Sequence, residues 1–575
     1  MKREFPGTIF LISETIEPKV LEGSKALVSA FFPRAAIKVL PPDPAAFGGQ
    51  QVASLAQAWL HVELGVGSAQ VFRDKAASGN GEALAGAVAA ADYGLGGETV
   101  LGGSFIWGRS DAQLGWERVE DQKAAEREET RDSVEVKLTR PEVERILSVS
   151  QPGRESLVGI LSKHVLMKLL SRVTGEELPW GILTGIRPLK LAHRLMDMGL
   201  SPVSLENTLS VLYGIRLDKI KLLQDVAKVQ EPYLQRLKQH PKRVSLYIGI
   251  PFCPTRCSYC SFPAYVPGKG RQAISPYLEA LKQEIRAVGE LMRSLALEGD
   301  TLYLGGGTPT ILSAAELREL FLYLRKILPL SSDLELTVEA GRPDTLSLEK
   351  LKTLAELGTN RLSINPQTMQ EKTLKRIGRA HDPQSVVDMY RVARDVGDWV
   401  INMDLILGLP GEGLPELAST LEQLVPLRPD NLTVHALALK RGARERELEL
   451  ELELELELEL GNAPMAAALA EQMEALAAQA ARSWGMRPYY LYRQKRIAGN
   501  LENIGYALPD RESRYNIAIM EEQQSIIGLG AGAASKILSP TGEGLTNMQH
   551  PSNFQAYEEH WQLLHARRLA RFSEK

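Results

Sequence analysis

Cysteine is nearly absent from this 575-residue chain. There are three, and all fall within eight positions as Cys253, Cys257 and Cys260, in the run YIGIPFCPTRCSYCSF. A disulfide framework needs paired cysteines spread along the chain, so none is expected. Long apolar runs are absent too. No stretch of about 18 apolar residues occurs, which excludes a simple membrane-spanning helix. The first residues, MKREFPGTIFLISETIEP, carry too short an apolar stretch for a signal-peptide core. Free thiols without an export signal point to a reducing, cytoplasmic compartment. A strong charge of one sign is also missing. The formal net charge is −4, and the seven glutamates of the repeat Glu447 to Leu460 turn what would be +3 into that value. Neither balance suits a nucleic-acid binder, which concentrates basic residues on one face.

What is present is a C-x3-C-x2-C triplet. Three thiolates held close together suit a soft metal or an iron–sulfur cluster. A cluster usually takes four protein ligands, so three would leave one iron open to another molecule. Zinc is the alternative, with one of nine histidines as fourth ligand.

The length allows two to four domains. Residues 1–110 mix short apolar runs with Ala- and Gly-rich stretches and read as a small α/β unit. Residues 111–134 are charged and poor in apolar side chains, as in a linker or solvated helix. Residues 135–240 carry helical periodicity, and Pro188 is placed to open a helix. From residue 241 to 440, short apolar strands alternate with amphipathic segments. SLYIGI, DTLYLGGG, LELTVEA, RLSINPQ, VINMDLILGLP and NLTVHALAL read as strands. That alternation implies a parallel sheet with right-handed crossovers, whose functional loops gather at the C-terminal strand ends. The Glu-Leu repeat within 441–462 alternates like a strand. One face of such a strand would hold seven like charges, so a solvated insertion is favoured. Residues 463–575 read as a C-terminal α+β domain opening with an Ala-rich helix.

Several motifs lie at or beyond strand ends. GGGTPT, Gly305 to Thr310, allows close backbone approach to a ligand, although alone it would be an ordinary turn. Glu339 ends the strand LELTVEA. RLSINPQT sets Arg361, Ser363, Asn365 and Gln367 on one face, toward a polar interior or solvent at an edge. Arg379 lies in RIGRAH. Asp404 sits in an apolar strand, where a charge is costly unless it is paired or ligand-bound. An Asp404–Arg379 pair is one such arrangement.

Together these motifs resemble the radical S-adenosylmethionine (SAM) enzymes, and within them the oxygen-independent coproporphyrinogen III oxidase family. YIGIPFC, GGGTPT, GTNRLSINPQT and DLILGLPG are similar to its successive blocks, over about residues 244–439. WGILTGIRPLKL, YRQKRIAGNLENIGYALP and YNIAIMEEQQSIIGLGAGAASK resemble the long, N-terminally extended HemZ-type branch. The heme-chaperone branch carries an HNxxYW signature, whereas here Tyr515–Asn516 stands without the Tyr–Trp pair. Three positions depart from the oxidase pattern. Gly249 replaces a histidine, Tyr259 replaces a phenylalanine, and Asn365–Pro366 replaces Gly-x. The last region bears on a second SAM in the oxidase, so the resemblance does not carry a second site here.

The resemblance implies a partial (β/α)6 barrel. It implies a 4Fe–4S cluster on Cys253, Cys257 and Cys260, with SAM chelated to the open iron. Tyr247, Tyr259, Gly306, Gly307, Thr308, Glu339, Gln367, Arg379, Asp404 and Ala438 occupy the family's cofactor positions. The implied reaction is reductive cleavage of SAM to a 5′-deoxyadenosyl radical. Oxidative decarboxylation of coproporphyrinogen III propionates to vinyl groups follows, in heme biosynthesis. An electron donor such as flavodoxin or ferredoxin is implied as partner. Four substrate carboxylates call for cations. Arg493, Lys495 and Arg496 are candidates, with Arg187 and Lys190 behind them, and each could equally be a solvated surface charge. Two other functions stay open: a heme-binding delivery protein, and a radical SAM enzyme acting on another tetrapyrrole.

Overall fold

A computed structural model of the chain describes five strands within residues 8–139 as backbone and scattered helical residues within 160–171. It further describes residues 177–573, apart from 186, 261–264, 267–270, 438–466, 495–500 and 540–543. The Glu-Leu repeat lies outside the described residues. The chain divides into two compact units, Met1–Gly185 with Leu191–Lys221, and Ile186–Lys190 with Leu222–Lys575.

In the first unit, β1 (Thr8–Ile12) pairs in parallel with β2 (Ala36–Leu40). β3 (Trp59–Val66), β4 (Thr99–Gly108) and β5 (Asp132–Thr139) form an antiparallel sheet. β5 begins inside the stretch read as linker and runs into the one read as helical. Val134, Val136 and Leu138 alternate there with Glu135 and Lys137, a period of two that the surrounding charge obscures. α1 (Pro188–Asp197) opens at Pro188 as expected. α2 (Pro202–Tyr213) is capped by Ser201, whose hydroxyl accepts from Ser204 N at 3.2 Å.

The second unit is built on one open, 11-stranded sheet. All six expected strands form: β6 (Arg243–Ile250), β7 (Glu298–Gly306), β8 (Leu330–Glu339), β9 (Arg361–Ser363), β10 (Val400–Leu407) and β11 (Asn431–Ala436). Each pairs in parallel with the next. The crossovers are α4 (Ile274–Ser294), α5 (Ala314–Ile327), α6 (Leu348–Glu356), α7 (Glu371–Arg376) with α8 (Pro383–Val396), and α9 (Leu414–Leu424). They follow α3 (Leu217–Gln239). Parallel strands covered on both faces need near-continuous apolar side chains, and Val244, Leu246, Ile248 and Ile250 of β6 are all buried. The helices start at local signals. Ser313 and Glu316 form a capping box on α5, and Asp382 accepts from Ser385 N at 2.7 Å ahead of Pro383 on α8. Six parallel strands with helical crossovers and no closure make the partial (β/α)6 barrel.

Residues beyond the Glu-Leu repeat extend the same sheet at both edges. After α10 (Ala467–Ser483), β12 (Arg487–Tyr492) and β13 (Asn503–Ala507) add antiparallel beside β11. After α11 (Arg514–Glu521), β14 (Ile526–Leu529) joins β6 in parallel, and β15 (Ala534–Leu538) and β16 (Leu545–Gln549) follow it antiparallel. Gly249, in place of a histidine, fits this junction. A Cβ there would lie 3.0 Å from the Ala531 carbonyl oxygen. α12 (Phe554–Ser573) closes the chain against α4. Leu234 of α3 packs with Tyr489, Tyr490, Ala507 and Ile517 in a core under β12 and β13. Among the described residues no helix is long and apolar enough to cross a membrane.

Candidate functional site

The C-terminal ends of β6, β7, β8 and β9 deliver the motif residues to one rim of the sheet. β6 leads directly into the cysteine loop, where Cys253 and Cys257 are buried and Cys260 is partly exposed. The loop is stitched down by its backbone. Cys253 N donates to Tyr265 O at 2.9 Å, Tyr265 N to Pro251 O at 2.8 Å, and Ser258 N to Ile377 O at 3.2 Å. Gly378 has φ +75°, and a Cβ there would approach Arg256 O to 3.1 Å, so only glycine lets α7 close on the loop. Cys253 lies 3.3 Å from Thr308 Oγ1. Burial pushes its thiol up to about 11.

The glycine segment is held against this loop. Gly307 N donates to Ile250 O at 2.8 Å and Thr308 N to Phe252 O at 2.7 Å. Gly306 has φ +112°, and a Cβ on Gly307 would sit 2.6 Å from Phe252 O. Gly306 and Gly307 therefore serve close packing against Ile250 and Phe252 at the end of β6 as much as access to a ligand.

Glu339 turns back toward the glycines. It accepts from Tyr303 Oη at 2.7 Å and Gly306 N at 3.2 Å. Burial, helped by the Asp404 charge, pushes its carboxyl up to about 7. Tyr247 stacks with Tyr303 and Tyr515, with centroids 5.9 and 6.2 Å away, and Tyr303 stacks on Tyr515 at 4.5 Å. Tyr303 and Tyr515 have no sequence signal beyond a tyrosine in a strand and one at a helix start.

Asp404 is not paired with Arg379. It accepts from Asn365 Nδ2 at 2.8 Å and Asn402 Nδ2 at 2.7 Å, with His435 Nε2 at 3.9 Å. Burial opposes ionisation, but His435, Asn402 and Thr433 together hold the carboxyl below its ordinary range. Arg379 instead donates to Gly341 O at 3.1 Å and Asn365 O at 2.8 Å. It also faces Tyr259 and Cys257, whose attraction outweighs its burial and raises its guanidinium. Tyr259 packs on the cluster of Leu374, Ile377, Ile406 and Leu409. Gln367 is buried with φ +64°, its N donating to Asp404 O at 2.9 Å. Arg361 does not face a ligand space. It donates to Arg511 O, Glu512 O and Asn431 Oδ1, tying β9 to the C-terminal segment.

Of the cations named for substrate carboxylates, Arg493, Arg187 and Lys190 fall among the described residues. Arg493 is buried at 4% exposure, and desolvation pulls it down to about 10 with the Glu502 charge opposing. Arg187 and Lys190 both bind Glu522, as does Lys536 at 3.0 Å. Lys495, Arg496 and Ala438 lie outside the described residues. Arg342 and His381, which sequence reasoning missed, sit beside the cysteine loop. His381 is buried, and burial with the nearby Arg379 charge pulls its imidazole down to about 4.

Among the described residues, no three His, Cys, Asp or Glu side chains close on a single metal ion. Thiolates that each bind a different iron of a cube need not converge on one point. The donor set fits a cluster. It offers three soft ligands on one loop, two of them buried, with two guanidiniums beside Cys257. These residues could hold a 4Fe–4S cube with one iron left for SAM.

Comparison with known proteins agrees. Residues 247–424 match the radical SAM superfamily. The chain is 40% identical over 400 residues to the oxygen-independent coproporphyrinogen-III oxidase-like protein HemZ of Bacillus subtilis, covering 69% of this chain and 78% of that one. It is 30% identical to the heme chaperone HemW of Escherichia coli over 54% of this chain and 75% of that one. Among solved structures, coproporphyrinogen III oxidase (HemN) of Escherichia coli matches with a TM-score of 0.41 at 24% identity, over 58% of this chain and 73% of that one. The cofactors of the chain are a 4Fe–4S cluster and SAM. The cysteine loop, the glycine segment and the parallel strand order thus agree with kinship over most of a relative's length, and the chain belongs to the oxygen-independent coproporphyrinogen III oxidase-like family of the radical SAM superfamily.

Proposed function

We propose that the chain is a cytosolic coproporphyrinogen dehydrogenase, converting two propionates of coproporphyrinogen III to vinyl groups to give protoporphyrinogen IX. The observation that carries this reading is the shared rim. The cysteine loop after β6, the glycines after β7 and Glu339 at the end of β8 meet there, in a chain 40% identical to a coproporphyrinogen-III oxidase-like protein. The cluster and SAM, when bound, supply a carbon-centred radical able to take one hydrogen atom from the substrate.

The protein's residues orient and exclude water. Cys253, Cys257 and Cys260 would hold the cluster. Glu339, held by Tyr303 Oη and Gly306 N, would face the SAM amino group. Tyr247 and Tyr259 would wall the adenosine side. Gln367, Arg379 and Asp404 complete the cofactor site, with Asn365 and Asn402 fixing the Asp404 carboxylate. Each propionate loses a hydrogen atom, carbon dioxide and one electron, and a vinyl group remains. An electron donor of the flavodoxin or ferredoxin kind would serve the cluster, and a separate one-electron acceptor would take the electron released.

Relatives of the heme-chaperone branch support a second reading, heme delivery without turnover. Anaerobic incubation of the purified chain with coproporphyrinogen III, reductant and SAM, followed by mass analysis, separates the readings. Vinyl product with 5′-deoxyadenosine supports the dehydrogenase. Stoichiometric heme binding with no vinyl product contradicts it.

A further inference from the structure

Arg342 follows Gly341 immediately beyond β8, three residues after Glu339, and its side chain reaches away from Glu339 into the cysteine loop. It is 4% exposed. A guanidinium so buried must spend its donors on the protein, and here they go to a single loop. Nη1 donates to Thr255 O at 2.9 Å and lies 3.6 Å from Cys257 Sγ; Nη2 donates to Thr255 Oγ1 at 2.5 Å. Thr255 Oγ1 in turn donates to Gly378 O at 3.1 Å, linking the loop to the segment that carries Arg379. The ion-pair partner, Asp344, lies 3.5 Å from Nε and is 22% exposed; Nε makes no hydrogen bond to the described residues. The positive charge of Arg342 is therefore matched only loosely by carboxylate, and it sits against a cysteine that must be a thiolate to bind iron.

We propose that Arg342 is a positioning residue that sets the reduction potential of the cluster through Cys257. Its N–H bond to the ligating sulfur and its buried charge both favour the form carrying one more electron, because hydrogen bonds to cysteine sulfurs and local charge are among the levers that fix such potentials. The planar fork is what allows the role. One guanidinium nitrogen serves the Thr255 carbonyl and the sulfur together while the other anchors the Thr255 hydroxyl. A lysine could supply charge but not both contacts. The role rests on the cluster being present, and it is distinct from SAM binding because these contacts go to the loop and not to the open side.

The test is an anaerobic redox titration of reconstituted full-length protein followed by electron paramagnetic resonance, for the native chain, Arg342→Gln and Arg342→Lys. Iron and sulfide are counted in every sample, so a failure of the cluster reading shows in the native protein before any variant is compared. Arg342→Gln with full iron and sulfide is expected to have a more negative midpoint. At a fixed poise near the native midpoint, its ratio of reduced to oxidised cluster falls about tenfold, equivalent to about 59 mV for a one-electron couple. Arg342→Lys is expected to fall between. A full cluster with the native midpoint in Arg342→Gln overturns the proposal. So does a folded Arg342→Gln that takes up no iron, because Arg342 would then act in loop assembly alone. If Arg342→Gln does not fold, Arg342→Lys decides by the same comparison of midpoints.

Discussion

Two buried polar regions of the second unit use similar side chains to opposite ends. Behind β14, Glu284 of α4 is fully enclosed and fully used. It accepts from Arg568 Nη1 at 2.6 Å, His550 Nε2 at 2.8 Å, Tyr557 Oη at 2.8 Å and Gly530 N at 3.0 Å. Arg568 reaches on to Ser535 Oγ at 3.0 Å and to Gly528 O. Beside the cysteine loop, Arg342, Arg379 and His381 are also buried. Yet Nε of both arginines and both nitrogens of His381 find no hydrogen-bond partner among the described residues. A closed network holds α12 and the edge strands to the barrel. An open one leaves donors for chemistry that a protein alone does not satisfy. The difference lies in the arginines: Arg568 spends every nitrogen, while Arg342 and Arg379 each keep Nε unspent, and in the Glu284 network His550 Nδ1 alone has no partner among the described residues.

The contrast can be broken most severely at the metal ligands. Cys257→Ser is expected to abolish cluster assembly and all SAM cleavage, read as iron content and 5′-deoxyadenosine yield. Its urea midpoint, measured on the cluster-free proteins, should stay close to native. A large stability loss would mean that the loop is structural first.

The closed network should show the reverse. Arg568→Met leaves Glu284 buried without its main cation and is expected to cost about 3–5 kcal/mol of stability. Denaturant unfolding of the cluster-free protein measures this. Surviving folded protein should still assemble the cluster.

The two glutamates should also answer pH in opposite directions. Burial opposes Glu284 ionisation, but Arg568 and His550 win and hold its carboxyl down at about 2. Its folded value lies below the unfolded one. Its stabilising contribution is therefore present above about pH 4.5 and lost as pH falls toward 2. Glu339 is held up at about 7, above its unfolded value. Its contribution is present below about pH 4.5 and lost as pH rises through 7. Glu339→Gln should thus stabilise the ligand-free protein at pH 8 by about 1 kcal/mol, discounted because Glu339 is only partly buried by surface area. The same change should weaken SAM binding. Thermal unfolding at pH 5 and 8 checks the first expectation and calorimetry the second. Equal stabilisation at both pH values would remove the argument from Glu339 ionisation.

The smallest effect is expected at Tyr303→Phe. The hydroxyl is a donor that favours Glu339 ionisation, so its loss should raise the Glu339 titration further and cost about 1 kcal/mol in SAM affinity. The cluster should be unaffected.

Much of the barrel was legible in the sequence because its strands are buried on both faces. Apolar runs such as SLYIGI and NLTVHALAL, with glycine or polar residues at their ends, have few other solutions. The cysteine spacing, GGGTPT and Glu339 were equally legible, since each sits where a strand stops. Other features were not. β5 was hidden because charged residues alternate with its apolar ones in a charged stretch, which reads as linker. β14 was hidden because four residues, Ile526–Leu529, are too short to signal a parallel partner for β6, whose Ser245 pairs with Ile526 across 281 residues. The Glu284–His550–Arg568 network joins positions 266 and 284 residues apart, and no local pattern marks any of them. Arg342 sits in a turn, GRPDT, where an arginine looks solvated. Its role appears only when β8 brings it against the cysteine loop. The burial of Arg493, with Glu502 nearby, was likewise not legible in its basic stretch.

The central claim is that three thiolates hold an iron–sulfur cube whose remaining iron takes SAM. Anaerobic reconstitution followed by metal and sulfide analysis, with electron paramagnetic resonance of the reduced protein before and after adding SAM, tests it most directly. The account predicts about four irons and four sulfides per chain, and a signal that changes when SAM is added. A single zinc without sulfide, or a cluster whose signal ignores SAM, would contradict it.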